Sequence, residues 1–233
     1  MSERPLAGRR VAVTRAEDRS DDLVERLAAL GATVVLVPLL RVDEIEPTGP
    51  IPVTDWLLLP SANAARAARR LGAGRAGVAV GVVGPATARA WGGPVAIEAR
   101  PATAAALVEA LPPGPGRALV VQGDRARPEL VDGARAKGWT VEAVVAYRTV
   151  GLAPDAEQGD ALRHADAVTF ASPSAIEACR DAGIRPGGVV VVIGPTTAAA
   201  AHAAGWGEPV VASPHTAAGL AAAVAGCLAG GAR

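Results

Sequence analysis

The chain has 233 residues, a formal net charge of zero, 50% hydrophobic residues and 20% charged residues. This length suits one large domain or two small ones, and the composition is typical of a buried core rather than of a disordered chain. Neutral charge argues against a broad nucleic-acid surface, and no basic segment followed by an apolar run opens the sequence, so we expect a cytoplasmic protein without nucleic-acid or membrane partners.

The first 38 residues predict a β-α-β unit. A short strand over 11–14 precedes a helix that Asp18 or Ser20 can cap. Gly31 can end this helix in a left-handed conformation. The β-branched and aliphatic run over 33–37 is typical of a strand covered on both faces.

The same alternation continues to the end of the chain. Further strands are predicted at 56–59, 78–83, 118–121, 140–145, 167–170 and 189–193. Helices are predicted to begin near Ser61, Gly84, Thr103, Pro128, Ser172, Gly194 and Thr216. Alternating strands and helices predict an α/β fold with parallel sheets flanked by helices, of the Rossmann or flavodoxin type.

The sequence also repeats itself. Arg10–Thr14 reappears as 117–121, and Pro60–Asn63 reappears as 171–174. The repeat order A, B, A′, B′ is compatible with two tandem domains. It is equally compatible with a crossing arrangement, in which the first and last half-units form one domain around a middle one.

Two segments interrupt the alternation and are predicted to connect the domains. They are 39–47 and 147–154, which follow equivalent strands and have similar lengths. Two connectors favour the crossing arrangement, with one domain of residues 1–38 plus 155–233 and another of residues 48–146. Such a pair of domains would form a ligand cleft between them.

Small hydroxyl residues, glycines and two arginines follow the predicted strands in both halves. At the carboxyl ends of parallel strands, hydroxyls and helix N-terminal N–H groups suit a carboxylate or phosphate. The predicted binding residues are Thr14, Arg15, Ser61, Ala62, Asn63, Gly84, Thr87, Arg125, Ser172, Ser174, Gly194, Thr196 and Thr197. The alternative is that these hydroxyls only cap helices and that the arginines are solvated surface residues.

Tyr147 is the single tyrosine and begins the second connector. Its phenol could donate a proton or a hydrogen bond, or it could pack between domains. The sequence has no dinucleotide fingerprint, phosphate-binding loop or hydrolase nucleophile motif. The three histidines lack metal-ligand spacing, and Cys179 and Cys227 indicate reduced thiols, so we expect no metal site.

With these motifs placed, the chain resembles the uroporphyrinogen-III synthase family over nearly its whole length. The resemblance rests on Val11–Arg15, Leu30–Pro38, Ser61–Asn63, Val83–Ala88, Gln122–Arg125, Val144–Thr149, Thr169–Ser174 and Ile193–Ala198, in that order. The sequence departs from the family pattern at Ala16, often proline there, and at Pro60, usually serine or threonine. Pro60 removes a hydroxyl and a donor N–H from its turn.

The resemblance implies the crossing arrangement with a two-stranded linker. It also implies a cofactor-independent lyase of porphyrin and heme biosynthesis, which cyclises hydroxymethylbilane with loss of water and inversion of ring D to give uroporphyrinogen III. Tyr147 would then assist the departure of the hydroxyl. Hydroxymethylbilane is the one expected partner, and we expect a monomer. The alternatives are a non-catalytic module of the same fold that binds a tetrapyrrole or other polyanion, and, more remotely, a sugar- or anion-binding two-domain receptor.

Overall fold

A computed structural model describes residues 4–15 and 21–229. Its strands are β1 (Arg10–Val13), β2 (Thr33–Leu36), β3 (Leu40–Glu44), β4 (Trp56–Leu59), β5 (Ala79–Val82), β6 (Ile97–Glu98), β7 (Arg117–Gly123), β8 (Thr140–Gly151), β9 (Ala167–Phe170), β10 (Val189–Val192) and β11 (Val210–Val211). Its helices are α1 (Asp21–Ala29), α2 (Ala62–Arg70), α3 (Gly84–Trp91), α4 (Ala104–Ala110), α5 (Glu129–Ala136), α6 (Ala156–His164), α7 (Pro173–Asp181), α8 (Pro195–Ala203) and α9 (Ala217–Ala229). The predicted class, α/β with parallel sheets flanked by helices, is confirmed.

The chain folds into two compact units. The first comprises Met1–Arg41 and Val150–Arg233, and the second comprises Val42–Thr149. The chain passes from one unit to the other within β3 and again within β8. Each unit contains its own sheet and its own pair of apolar clusters, so each is described separately.

The sheet of the first unit has the strand order β11-β10-β9-β1-β2. Its strands are parallel, with Val13 opposite Thr169 on the neighbouring strand. The carboxyl ends of β1, β9 and β10 therefore lie side by side at one edge. One face of the sheet packs in a cluster with Phe170, and the other packs with Leu27 and Leu220, as expected for a sheet covered on both sides.

The sheet of the second unit has the order β3-β8-β7-β4-β5-β6. The pairs from β8 through β6 are parallel, so β8, β7, β4 and β5 end at the same edge. Helix α2 covers one face and buries only alanines: Ala64, Ala65, Ala67 and Ala68. Small side chains let a helix pack close to the strands, and this packing sets the distance between the start of α2 and the sheet.

Both segments predicted as connectors contain strand residues. Residues 40–44 form β3, and β8 continues through Gly151, well beyond the predicted strand end at residue 145. Continued pairing explains the extension, since Ile45 donates its N–H to the Ala146 carbonyl at 3.0 Å. The predicted caps Asp18 and Ser20, and the family departure at Ala16, lie outside the described residues.

Besides β3, three elements were not predicted, namely β6, β11 and α6. Helix α6 begins with a capping box in which Asp155 and Gln158 satisfy each other's backbone N–H groups. This Asp-x-x-Gln spacing is a recognisable start signal in the sequence. Helix α5 begins one residue after the predicted Pro128. Among the described helices, none is both long enough and apolar enough to cross a membrane.

Candidate functional site

In the first unit, α7 and α8 begin at the carboxyl edge of the sheet. Ser172 caps α7, and its Oγ accepts a hydrogen bond from the Ala175 N–H at 3.3 Å. Half-buried Ser174 lies in the first turn of the same helix. Gly194 is the N-cap of α8, where no side-chain cap is made. The two helix starts thus present backbone N–H groups and small side chains at neighbouring strand ends.

The threonines of the first unit divide into exposed and buried positions. Thr196 is exposed in the first turn of α8, whereas Thr197 beside it is buried. Thr14 is also buried, and its hydroxyl donates to the Thr169 carbonyl at 2.8 Å. That hydrogen bond joins β1 to β9, so the Thr14 hydroxyl has a role within the sheet. Arg15 follows it and is half-buried.

In the second unit, α2 begins directly after β4. Ser61 caps the helix, with its Oγ accepting from the Ala64 N–H at 3.1 Å. Ala62 and Asn63 form the first turn, and the Asn63 Oδ1 accepts from the Arg66 Nη1 at 3.4 Å. This turn places a hydroxyl, an amide and the positive end of the helix dipole at the carboxyl edge of the sheet.

Helix α3 begins after β5 in a turn that requires glycine. Gly84 has a φ of 76°, and a Cβ there would lie 2.6 Å from the Ala102 Cβ. Thr87 in the next turn is buried, and its hydroxyl donates to the Val83 carbonyl at 2.8 Å. Like the Thr14 hydroxyl, the Thr87 hydroxyl donates its hydrogen bond to a backbone carbonyl within the fold. Arg125 is exposed in the turn after β7.

A hydrogen bond joins two of the predicted site residues, Ser61 and Tyr147. The Ser61 Oγ and the Tyr147 Oη are 2.9 Å apart, and both side chains are partly buried. Tyr147 lies on β8, opposite Gly123 of β7, and β4 lies on the far side of β7. The tyrosine ring therefore crosses the end of β7 to reach the start of α2.

Arg70, at the other end of α2, is a residue that the sequence analysis missed. Its guanidinium donates to the carbonyls of Ile45 at 3.2 Å and Ala146 at 3.4 Å. It also forms ion pairs with Glu44, at 3.2 Å, and with Glu46. Arg70 thus joins the end of α2 to the strand segment immediately before Tyr147.

Groups with shifted pKa values lie away from these edges. Asp166 precedes β9, at the opposite edge of the first sheet, and hydrogen bonds from the Arg10 N–H and the Arg9 guanidinium outweigh burial and lower its pKa. Burial raises the pKa of the Cys179 thiol to about 12. Within the described residues, no three His, Cys, Asp or Glu side chains gather as a metal site would require.

Each sheet edge therefore collects a subset of the predicted site residues. The first unit holds Thr14, Arg15, Ser172, Ser174, Gly194, Thr196 and Thr197, and the second holds Ser61, Ala62, Asn63, Gly84, Thr87, Arg125 and Tyr147. The chemistry available is hydrogen bonding to anions at four helix N-termini, together with one phenol. Gly123, which the sequence analysis noted only as part of a family motif, belongs with the second group because the Tyr147 ring lies against it.

Comparisons with known proteins agree with this geometry. The family model for uroporphyrinogen-III synthase HemD (HEM4) matches residues 21–222. The uroporphyrinogen-III synthase of Synechococcus elongatus is 34% identical over 79 residues, a match that covers 30% of this chain and 29% of that relative.

Two solved structures show the same fold at low sequence identity. A mutant uroporphyrinogen III synthase from the extremely thermophilic bacterium Thermus thermophilus has a TM-score of 0.57 and 21% identity, covering 94% of this chain and 97% of that one. The uroporphyrinogen-III synthetase of Helicobacter pylori has a TM-score of 0.62 and 14% identity, covering 94% and 99%. Because the family model spans most of the sequence and the fold agrees, this chain belongs to the uroporphyrinogen-III synthase family.

Proposed function

We propose that this chain cyclises hydroxymethylbilane to uroporphyrinogen III, with inversion of ring D and loss of water, as a lyase that uses no cofactor. The family is one of enzymes of heme biosynthesis. The observation that carries the proposal for this chain is the hydrogen bond between Ser61 and Tyr147 at the carboxyl edge of the second sheet. It brings a phenol to the N-terminus of α2, where a polar substrate can meet both groups.

The negative charge of the substrate and the N–H groups at the helix N-termini explain how the substrate would bind. Hydroxymethylbilane carries many carboxylates, and the N-termini of α2, α3, α7 and α8 offer N–H groups and favour negative charge. We assign carboxylate binding first to hydroxyl and amide side chains that are not buried and do not contact Tyr147, namely Asn63, Ser172, Ser174 and Thr196. The buried hydroxyls of Thr14 and Thr87 stabilise the turns by donating hydrogen bonds to backbone carbonyls.

The chemical step needs a group that assists the departing hydroxyl. The substrate loses its hydroxyl with a proton as water, which leaves a cation that ring D attacks through its substituted α-carbon. The bond from that carbon to the ring C bridge then breaks, and the bridge rejoins ring D at its other α-carbon, so that ring D is inverted. Tyr147 can donate a hydrogen bond or its proton to that hydroxyl and stabilise its departure. The proton released as the ring regains aromaticity balances the one consumed. Holding the chain of pyrroles in the productive conformation supplies the remaining selectivity.

An isomer assay tests the proposal directly. Purified protein is given freshly made hydroxymethylbilane, the products are oxidised, and the type I and type III porphyrins are separated by chromatography. The type I isomer forms spontaneously, so a reaction without protein and one with heat-denatured protein set the background. We expect type III to predominate only with folded protein.

The assay also separates the proposal from the alternative of a non-catalytic tetrapyrrole-binding module. Such a module would bind tetrapyrroles, detectable as quenching of tryptophan fluorescence, yet leave the isomer ratio at background. Type I product alone, at every protein concentration, would therefore refute the enzymatic function while leaving a binding role measurable.

A further inference from the structure

The direction of the Tyr147 side chain depends on an irregularity between β7 and β8. Gln122 pairs with Val145, but the next residue of β7, Gly123, pairs with Tyr147. Ala146 is thus an extra residue on β8, and the register shifts by one. Such a bulge re-aims the side chains that follow it.

The burial pattern shows what the bulge achieves. Val144, Ala146 and Tyr147 all pack with the apolar cluster beneath α2, whereas Val145 is 38% exposed. In a regular strand, Tyr147 would share the face of Val145, because side chains alternate. The extra residue instead turns Tyr147 to the face that carries α2 and its capping residue Ser61.

Gly123 provides the space that the ring occupies. A Cβ at this position would lie 2.8 Å from the Tyr147 Cε2 and 3.1 Å from its Cζ, closer than carbon atoms pack. With any other residue at this position, the ring would have to shift from its place against this strand end. The Asp124 N–H also donates to the Tyr147 carbonyl at 3.0 Å, which holds the tyrosine backbone beside β7.

Ser61 holds the phenol at its other end. Its Oγ is fixed by the Ala64 N–H at 3.1 Å, and it shares a second hydrogen bond with the Tyr147 Oη at 2.9 Å. The cap therefore holds the serine hydroxyl beside the Tyr147 Oη. Since α2 packs through alanines on the same sheet, the distance between the helix start and β8 is also held.

Resting on the function proposed above, we propose that Ser61 and Gly123 are positioning residues that hold the Tyr147 phenol in one orientation for the reaction. Gly123 removes the steric barrier below the ring, and Ser61 fixes the hydroxyl end. Replacing Ser61 or Gly123 would let the ring turn, which would move the phenol away from the departing hydroxyl. The effect should appear in kcat more than in KM, because the contact acts on the reacting group.

The single tyrosine makes a direct test possible. Protein labelled with ¹³C at the tyrosine ζ position gives one ring signal, whose shift reports on the hydrogen bonding of the phenol. The variants are Ser61→Ala, Ser61→Thr and Gly123→Ala, and Thr103→Ala serves as a matched control. Thr103 caps α4 in the same unit, with its Oγ1 accepting from the Ala106 N–H at 3.2 Å, and it has no assigned part in the site.

We expect Ser61→Ala and Gly123→Ala to shift the tyrosine signal and to lower kcat about tenfold, the loss that one hydrogen bond to a reacting group entails. Ser61→Thr keeps both the hydroxyl and the cap and should restore most of kcat. Thr103→Ala should leave the signal and kcat unchanged. Circular dichroism and unfolding midpoints identify any variant that fails to fold.

A double-mutant cycle with Tyr147→Phe separates positioning from an independent role. If Ser61 acts through the phenol, Ser61→Ala should lower kcat little further once the phenol is gone. Fully multiplicative losses, or an unmoved tyrosine signal in both Ser61→Ala and Gly123→Ala, would overturn the inference. If the unaltered protein formed no type III isomer, the proposed function would fail, while the tyrosine signal would still decide whether Ser61 and Gly123 hold the ring.

Discussion

Gly84 allows a stability prediction whose parts can be worked out separately. Replacing it with alanine places a Cβ in a left-handed backbone conformation, φ 76°, which costs roughly 1–2 kcal/mol. The same Cβ would lie 2.6 Å from the Ala102 Cβ, and overpacking of this kind adds about 1–3 kcal/mol. We expect Gly84→Ala to lower the free energy of unfolding by about 2–5 kcal/mol, the sum of the two.

Gly72 is the matched control. It too has a positive φ, 65°, but nothing lies within 4 Å of an added Cβ, so Gly72→Ala should cost only the backbone contribution of roughly 1–2 kcal/mol. Ala102→Gly in the Gly84→Ala background removes the opposing methyl. The double variant should therefore recover most of the steric cost, apart from about 0.4–1 kcal/mol for the added flexibility of the unfolded chain.

Urea unfolding followed by tryptophan fluorescence measures these differences. Three of the four tryptophans lie in the second unit, which also contains both glycines and Ala102. Equal destabilisation by Gly84→Ala and Gly72→Ala would refute the predicted overlap. So would purely additive effects of Gly84→Ala and Ala102→Gly, because residues in contact should show a coupling energy.

Two further predictions concern titratable groups of the first unit. Because burial raises the pKa of Cys179 to about 12, a thiol reagent at pH 8 should label Cys227 alone, and rapid labelling of both in the folded protein would contradict this. Asp166→Asn should destabilise the protein by about 1 kcal/mol at pH 7, since the carboxylate accepts from the Arg10 N–H and the Arg9 guanidinium. Because the folded pKa of Asp166 is lowered, its stabilising effect is present above the unfolded pKa and is lost as the pH falls through the folded pKa. The stability difference between Asp166→Asn and the unaltered protein should therefore shrink below about pH 4 in acid-unfolding curves. A difference that stayed constant with pH would contradict the assignment.

The class of fold and most helix starts could be predicted because their signals are local. Ser61, Ser172 and Thr103 each accept a hydrogen bond from the N–H three residues later, as hydroxyl residues at the starts of predicted helices indicate. Gly31 ends α1 with a φ of 95° for the same kind of local reason. The periodicity could not choose between tandem and crossing half-units, because that choice depends on which distant strands pair.

The direction of individual side chains was less predictable. The hydroxyls of Thr14 and Thr87 were expected to point toward a ligand, yet both donate to carbonyls inside the fold. A hydroxyl at a strand end can serve a ligand or the backbone, and only burial decides between them. The contact of Ser61 with Tyr147 joins residues 86 positions apart and depends on strand order and on a register shift. Neither the strand order nor the register shift can be recognised from residues that are neighbours in the sequence.

The internal repeat and the tyrosine therefore have different roles. Duplication supplies equivalent caps in the two units: the Ser61 Oγ accepts from the Ala64 N–H at 3.1 Å, and the Ser172 Oγ accepts from the Ala175 N–H at 3.3 Å. Under the proposed function, both helix starts face substrate carboxylates. The sequence contains a single tyrosine, so only one of these caps can hold a phenol. An extra residue in one strand and a glycine in its neighbour bring that phenol to the cap. Under the proposed function, the repeated scaffold thus acquires its phenol through one local asymmetry, and the proposed chemistry should be most sensitive to changes at that point.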